Sequence, residues 1–98
     1  MSYSVMVTGT KSTESEWFID VYPDIQNNYF QWESNHPGVI DISYVHSTDT
    51  TIKILMEFDT EESYNLFLVN RKNNLDWKIK DEYYNSINAI FEIEVLSY

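Results

Sequence analysis

The sequence contains no cysteine, and this absence excludes several kinds of chemistry at once. A chain without cysteine has no disulfide framework, no thiolate nucleophile and no sulfur-ligated zinc site. The two histidines, His36 and His46, each stand alone in the sequence and form no metal-binding pair. We therefore expect neither a metal ion nor another cofactor.

Basic residues are scarce: six lysines and arginines face sixteen aspartates and glutamates, which gives a formal net charge of −10. Nucleic-acid binding depends on cations that replace the counterions of phosphate, so direct DNA or RNA binding is not expected. An anionic membrane surface repels the chain for the same reason. An apolar run of roughly 18 residues and a basic N-terminal signal are also lacking. The sequence predicts a cytoplasmic protein.

Glycine and proline occur twice each and alanine once, while isoleucine, asparagine and tyrosine are abundant. This skew follows A/T-rich codons and suggests a low-GC bacterium or one of its viruses as the source. The hydrophobic content of 43% is enough to build a core. The length of 98 residues predicts a single domain over residues 1–98.

Apolar and polar residues alternate in four segments, which is typical of strands with one buried face. The middle two segments are separated by a short polar loop and predict a hairpin. The four predicted strands are Tyr3 to Gly9, Val39 to Ser47, Thr51 to Phe58 and Ala89 to Leu96.

A helix is predicted between the first two strands, beginning with a capping box formed by Thr13 and Glu16. Pro23 predicts a kink or a two-part helix, because an interior proline removes a hydrogen bond. The alternative is a strand from Trp17 to Tyr22 followed by a helix that begins at Pro23. The apolar arc of the first interpretation consists of Phe18, Val21, Tyr22, Ile25, Tyr29 and Trp32.

A second helix is predicted to begin at Asp59 or Thr60 and to end near Asn73. The segment from Leu75 to Asn88 fits an edge strand and a helix equally well. The element order is β-α-β-β-α-β with a long connection before the last strand. This order predicts an α+β, ferredoxin-like fold, a split βαβ with two helices on one face of a four-stranded antiparallel sheet.

Acidic side chains with nearby aromatic residues form the candidate partner-binding surface. Glu16, Asp20 and Asp24 lie one helical turn apart in the predicted helix, where they resemble a row of phosphates or simply a solvated face. Trp17 and Phe30 fall off the apolar arc, where they are either exposed interface anchors or covered by residues 75–88. The open face of the sheet adds Asp41, Glu57, Glu92 and Glu94.

The same open face is predicted to have no stacking aromatic residues, which disfavours RNA binding. Val45 and Leu55 lie there beside Lys53, a composition that suits a sheet-to-sheet homodimer as well as a plain wet surface.

Known catalytic and metal-binding patterns are weak in this sequence. Gly9-Thr10-Lys11-Ser12 lacks the earlier glycine of a phosphate-binding loop. Glu57, Glu92 and Glu94 have the oxygen ligands that Mg²⁺ and Ca²⁺ prefer, but most such carboxylates are solvated. His46 is the one candidate for general acid–base chemistry, and a surface histidine is the more common case. No catalytic, metal-binding or cofactor-binding residue is predicted.

Charge and missing catalytic residues together favour a non-enzymatic protein, plausibly encoded by a virus or mobile element. In this interpretation its acidic surface occupies a basic site on a nucleic-acid-handling partner, as an inhibitor or nucleic-acid mimic. One alternative is a small dimeric ferredoxin-like enzyme or ligand-binding protein, and another is an accessory structural subunit. In the enzyme alternative, the predicted pocket is lined by Tyr22, Tyr29, Trp32 and Tyr44.

Overall fold

Four antiparallel strands form one sheet in the computed structural model, which describes residues 2–97 apart from the side chains of His46 and Ser97. The order of the strands across the sheet is β2-β3-β1-β4. The strands are β1 (Tyr3–Thr10), β2 (Val39–Ser47), β3 (Thr51–Phe58) and β4 (Ile90–Ser97). The helices are α1 (Phe18–Val21), α2 (Pro23–Asn35), α3 (Glu61–Arg71) and α4 (Leu75–Ser86).

The predicted ferredoxin-like fold is confirmed, and the undecided segment forms helix α4. Asn74 caps this helix by accepting a hydrogen bond from the backbone N–H of Trp77 at 3.0 Å. Trp77, Lys80 and Tyr84 recur at helical spacing and face the sheet, which favours the helix over an edge strand. The long connection before the last strand therefore supplies one side of the molecule's interior.

The first helix begins at Phe18, so the predicted start at the capping box of Thr13 is wrong. The ammonium of Lys11 donates hydrogen bonds to backbone carbonyls of Ser12, Ser15 and Asp49, and these bonds hold residues 11–17 as a loop. The predicted interruption at Pro23 is confirmed, because this proline is the first residue of α2. Of the alternative, the helix that begins at Pro23 is confirmed, and the strand from Trp17 to Tyr22 is wrong.

Two irregularities in β2 change the side of the sheet on which its residues lie. The pairing of β2 with β3 shifts between Val39 and Asp41 and again between Tyr44 and His46. Ile40 and Val45 are the extra residues, and each is about half exposed. Consequently the backbone of His46, and not that of Val45, pairs with Lys53.

All four helices pack on one face of the sheet, where the core forms two clusters. The larger cluster joins β1, β2 and β3 to α3 through residues such as Val5, Phe58 and Phe67. The second cluster places Trp17 and Phe18 against Tyr84 of α4. No helix within residues 2–97 has the length and apolar character that crossing a bilayer requires.

Candidate active site

A cavity of about 300 Å³ lies between the sheet and the helices α2, α3 and α4. We call it the inner cavity. The sheet provides an apolar floor, and the helices provide polar and charged side chains above it. The floor consists of Val7, Ile54, Met56, Phe91 and Ile93.

Helix α2 places three polar side chains on its buried face. Gln26, Tyr29 and Glu33 follow one another at helical spacing, and each is at most 5% exposed. A buried carboxyl is uncommon, because transfer of an ionised group out of water is unfavourable unless it is paired. Of these three side chains, the buried carboxyl of Glu33 therefore points most directly to a functional site.

The carboxyl of Glu33 is only partly satisfied by its neighbours. The hydroxyl of Tyr29, one helical turn earlier, donates a hydrogen bond to it. Its other oxygen, Oε1, is buried and has no hydrogen-bond partner among the described residues. Burial raises the pKa of Glu33 to about 7, although the positive charges of Lys80 and Arg71 and the Tyr29 bond act in the opposite direction.

Lys80 of α4 brings its ammonium into the same region. Its Nζ donates a hydrogen bond to the hydroxyl of Tyr44 at 3.2 Å and lies 5.2 Å from the centre of the Tyr29 ring. Loss of water around this ammonium lowers the pKa of Lys80, while the charge of Glu33 opposes the shift. Desolvation likewise raises the pKa of the Tyr44 phenol, so this hydroxyl stays protonated at neutral pH.

This arrangement can transfer protons at neutral pH. General acid–base catalysis is most efficient when the pKa of the catalytic group lies near the working pH. Glu33 meets this condition, and Lys80 places a desolvated positive charge nearby that can stabilise an anion formed on a bound molecule. Titratable groups with strongly perturbed pKa values in a cleft are a recognised mark of active sites.

Arg71, the last residue of α3, adds another cation to the wall of the inner cavity. Its guanidinium carbon lies 5.0 Å from the centre of the Trp77 ring, a cation–π contact that fixes its position. Its Nε–H is buried and has no acceptor among the described residues. The wall thus has one unsatisfied acceptor, on Glu33, and one unsatisfied donor, on Arg71.

A wider groove of about 460 Å³ lies on the other side of Tyr44, between α2 and β2. We call it the outer groove. Its walls are mainly apolar, and Tyr44 is its one titratable side chain. The Tyr44 hydroxyl accepts a 2.7 Å hydrogen bond from Gln26, which also lines the groove. Although the groove is larger, the side chains that can transfer protons or stabilise an anion line the inner cavity.

The predicted acidic stripe does not form one helical face. Glu16 lies in the loop before α1, Asp20 lies in α1 and Asp24 lies in α2, and all three are exposed. Of the two alternatives for Trp17, cover by residues 75–88 is the correct one, because Trp17 is 3% exposed and its ring packs against Tyr84 at 6.1 Å. Phe30 is half-buried against the core. Both aromatic residues therefore belong to the interior of the molecule.

The four acidic residues predicted on the open face lie on that face, but in two groups. Asp41 and Glu57 are direct neighbours on β2 and β3, whereas Glu92 and Glu94 lie on β4. Strand β1 separates the groups, which places them about 10 Å apart. Among the described residues, no three acidic or histidine side chains are placed to hold a metal ion.

The pocket aromatics predicted for the enzyme alternative are partly correct. Tyr29 lines the inner cavity, whereas Tyr44 lines the outer groove and contacts Lys80 through its hydroxyl. Trp32 stacks on Tyr29 within the core at 5.8 Å, and Tyr22 is 43% exposed. The proposed acid–base residue His46 has a side chain outside the described part of the chain.

Sequence reasoning missed Glu33, Lys80 and Arg71, although a signal for Glu33 was present. On a wheel of about 100° per residue, Glu33 lies about 40° from Tyr29 and about 20° beyond Tyr22, at the edge of the apolar arc. A glutamate at such a position is buried if the helix packs as predicted.

No protein-family model and no curated protein sequence matches the chain. Solved structures do match it in fold. SnoaB, a cofactor-independent oxygenase from Streptomyces nogalater, is 6% identical with a TM-score of 0.68, over 99% of this chain and 92% of that one. A putative antibiotic biosynthesis monooxygenase from Nitrosomonas europaea is 12% identical with a TM-score of 0.65, over 99% and 91%.

A third match is a dimeric ferredoxin-like protein from an uncultured marine organism. It is 11% identical, with a TM-score of 0.66, over 99% of this chain and 96% of that one. At such identities the matches show that the chain shares the ferredoxin-like fold, and the dimeric protein is compatible with a homodimer of this chain.

The expected non-enzymatic mimic of nucleic acid is wrong. The structural neighbours named above are an oxygenase, a putative monooxygenase and a ferredoxin-like protein, and none of them is named as an inhibitor or a nucleic-acid mimic. The exposed carboxylates also lie on both sides of the sheet, for example Glu94 on the open face and Glu82 on α4, instead of on one side. A viral inhibitor and a basic nucleic-acid-binding partner have no support.

Proposed function

We propose that this protein is a small enzyme that binds an aromatic molecule in the inner cavity and removes a proton from it with Glu33. The reaction class that we propose is cofactor-independent oxygenation, in which dioxygen reacts directly with the deprotonated substrate. The buried, incompletely bonded carboxyl of Glu33 supports this proposal most strongly. The shared fold with SnoaB, a cofactor-independent oxygenase, supports the reaction class.

The proposed reaction needs no external reductant. The Glu33 carboxylate takes the proton of a phenolic O–H, and the ammonium of Lys80 stabilises the phenolate. The phenolate supplies electrons from its ring to dioxygen, and a ring carbon forms a bond to one oxygen atom. The O–O bond then breaks, one oxygen stays on the ring as a carbonyl and the other leaves as water. A naphthol and one dioxygen thus become a naphthoquinone and one water.

Oxygen consumption with a panel of naphthols and dihydroxynaphthalenes tests this proposal. We expect the Glu33→Gln variant, which keeps the side-chain size but cannot accept a proton, to lose activity by about 10²-fold or more. Glu82→Gln is the matched control, because Glu82 is exposed on α4.

An unchanged rate in Glu33→Gln contradicts the assignment of the base. Oxygen uptake that produces hydrogen peroxide without incorporating ¹⁸O from ¹⁸O₂ into the product contradicts oxygenation.

We also propose that two copies pack through the open faces of their sheets. Met6 and Leu55 are paired neighbours on β1 and β3 and provide an apolar centre on this face. Lys53 lies on one side and Glu94 on the other, so a two-fold axis can place opposite charges together. The dimeric ferredoxin-like neighbour supports a dimer as such.

Leu55→Asp tests the dimer, because it places a charge at the centre of the proposed interface. We expect light scattering after size-exclusion chromatography to give a dimer for the unaltered chain and a monomer for Leu55→Asp. The control Leu66→Asp changes an exposed leucine of α3 and should stay dimeric. A monomeric unaltered chain, or a Leu55→Asp protein that remains dimeric, contradicts the proposed interface.

A further inference from the structure

Two buried polar atoms on the walls of the inner cavity have no partner among the described residues: Oε1 of Glu33 and Nε of Arg71. Unsatisfied buried polar atoms are uncommon in folded proteins, because each loses its bonds to water. These two have opposite chemistry, since a carboxylate oxygen accepts a hydrogen bond and a guanidinium N–H donates one. They come from different helices and line the same cavity.

The charged side chains around the inner cavity are not fully paired either. Glu33 and Lys80 are electrostatically coupled and can balance each other. Arg71 also lies near Glu33, but one carboxylate cannot neutralise two cations. Asp81 lies at the rim of the cavity and is exposed, so water screens its charge. A positive charge in the wall is therefore left without a counter-ion.

We propose that the substrate of the inner cavity is a small aromatic hydroxy acid. Its carboxylate accepts hydrogen bonds from the guanidinium of Arg71, and its phenolic hydroxyl donates to Oε1 of Glu33. This inference rests on the proposed function, because the hydroxyl at Glu33 is the group that the enzyme deprotonates. The carboxylate of the substrate is the new element, because proton removal by Glu33 does not require it.

The surroundings of Arg71 suit the recognition of an aromatic carboxylate. The indole of Trp77 fixes the guanidinium and lines the inner cavity with it. Arginine binds carboxylates with fixed geometry, since its N–H donors match the two oxygens. The volume of about 300 Å³ is at the lower end of ligand sites, which favours one or two rings over a longer polycycle. The apolar floor of valine, isoleucine, methionine and phenylalanine suits the flat body of such rings.

Isothermal titration calorimetry with three probes of similar shape tests the assignment: 3-hydroxy-2-naphthoate, 3-hydroxy-2-naphthamide and 2-naphthoate. The naphthamide lacks the negative charge, and the 2-naphthoate lacks the hydroxyl. We expect the unaltered protein to bind the hydroxynaphthoate at least about tenfold more tightly than either of the others, as charge-assisted hydrogen bonds give.

Arg71→Gln and Lys72→Gln are a matched pair for the charge. Both remove one positive charge at the end of α3, but Lys72 is exposed and does not line the inner cavity. We expect Arg71→Gln to abolish the preference for the hydroxynaphthoate over the naphthamide, and Lys72→Gln to keep it. This ratio compares two ligands on one variant, so a general loss of stability changes both affinities alike.

The hydroxyl is tested separately with Glu33→Gln, in which we expect the preference for the hydroxynaphthoate over 2-naphthoate to fall. A naphthamide that binds the unaltered protein as tightly as the hydroxynaphthoate overturns the inference, and so does an unchanged preference in Arg71→Gln.

The proposed function can fail separately from the anionic substrate. Neutral naphthols that are oxygenated in a Glu33-dependent way, with no advantage for a carboxylate, leave the function standing and overturn the hydroxy acid. An Arg71-dependent preference for the carboxylate, with oxygenation that is unchanged in Glu33→Gln, supports the anion site and overturns the proposed function.

Discussion

At the scale of single residues, burial controls the chemistry of the inner cavity. Glu33 is 5% exposed and its pKa is raised to about 7 because the ionised form loses its water. The pKa of Lys80 is lowered for the same reason, since its ammonium is also desolvated. Each charge favours the ionised form of the other. Burial therefore leaves the carboxyl of Glu33 close to its titration midpoint at neutral pH.

The raised pKa of Glu33 predicts a dependence of stability on pH. Between about pH 4.5 and 7 the folded state keeps a proton that the unfolded state releases, so the free energy of unfolding falls as the pH rises. Relative to Glu33→Gln, the loss is on the order of 3 kcal/mol between pH 5 and 8. Urea unfolding of both proteins at several pH values measures it. The same difference at pH 5 and pH 8 contradicts the prediction.

The packing around Gly9 leaves no room for a side chain. A Cβ atom on Gly9 would overlap the ring of Phe91 and the side chain of Ile52. We expect Gly9→Ala to lower the free energy of unfolding by about 1–3 kcal/mol, as overpacking does. Thermal unfolding measures this loss, and Phe91→Leu should restore part of it in the double variant. Full stability of Gly9→Ala alone contradicts the packing argument.

At the scale of elements, α2 and α4 determine the site, and only one of them was predictable from sequence. The apolar arc of α2 and its interruption at Pro23 follow from spacing and from the chemistry of proline. Residues 75–88 carry two periodicities at once, and only packing against Trp17 and Phe18 selects the helix. The inner cavity brings together residues that are about 50 positions apart in the sequence, such as Glu33 and Lys80. Periodicity within a single segment of sequence does not show that such residues are neighbours.

The cap of α4 predicts a functional effect of a structural residue. Asn74→Ala removes the hydrogen bond to the N–H of Trp77, and Thr60→Ala removes the equivalent bond to Ser63 in α3. We expect each to lower the free energy of unfolding by about 0.5–2 kcal/mol in urea titrations. Only Asn74→Ala should also weaken binding of 3-hydroxy-2-naphthoate, because α4 carries Trp77 and Lys80. Equal affinity in the two variants contradicts this role of α4.

At the scale of the whole molecule, the inner cavity does not share the charge balance of the chain. The chain carries −10, yet two of its six basic residues line the inner cavity beside two acidic ones. Composition predicted a basic partner, which has no support, because it averages over a surface whose carboxylates are mostly exposed. The fold prediction was correct because strand and helix order depend on local periodicity, which sequence does show.

The net negative charge of the chain predicts how salt affects the rate at which an anionic ligand binds. At low ionic strength the net charge repels 3-hydroxy-2-naphthoate, and salt screens this repulsion. We expect stopped-flow fluorescence to show an association rate that rises severalfold from about 20 to 200 mM salt. The rate for the neutral naphthamide should stay constant. An association rate that falls with salt contradicts a field dominated by the net charge.

The central claim is that the inner cavity holds a carboxyl that exchanges its proton near neutral pH. A ¹³C NMR titration of the glutamate side-chain carboxyls, with Glu33 assigned by its absence in Glu33→Gln, tests this claim most directly. We predict a midpoint near pH 7 for Glu33, well above the ordinary glutamate value of 4.5. A midpoint near pH 4.5 for Glu33 would contradict the account.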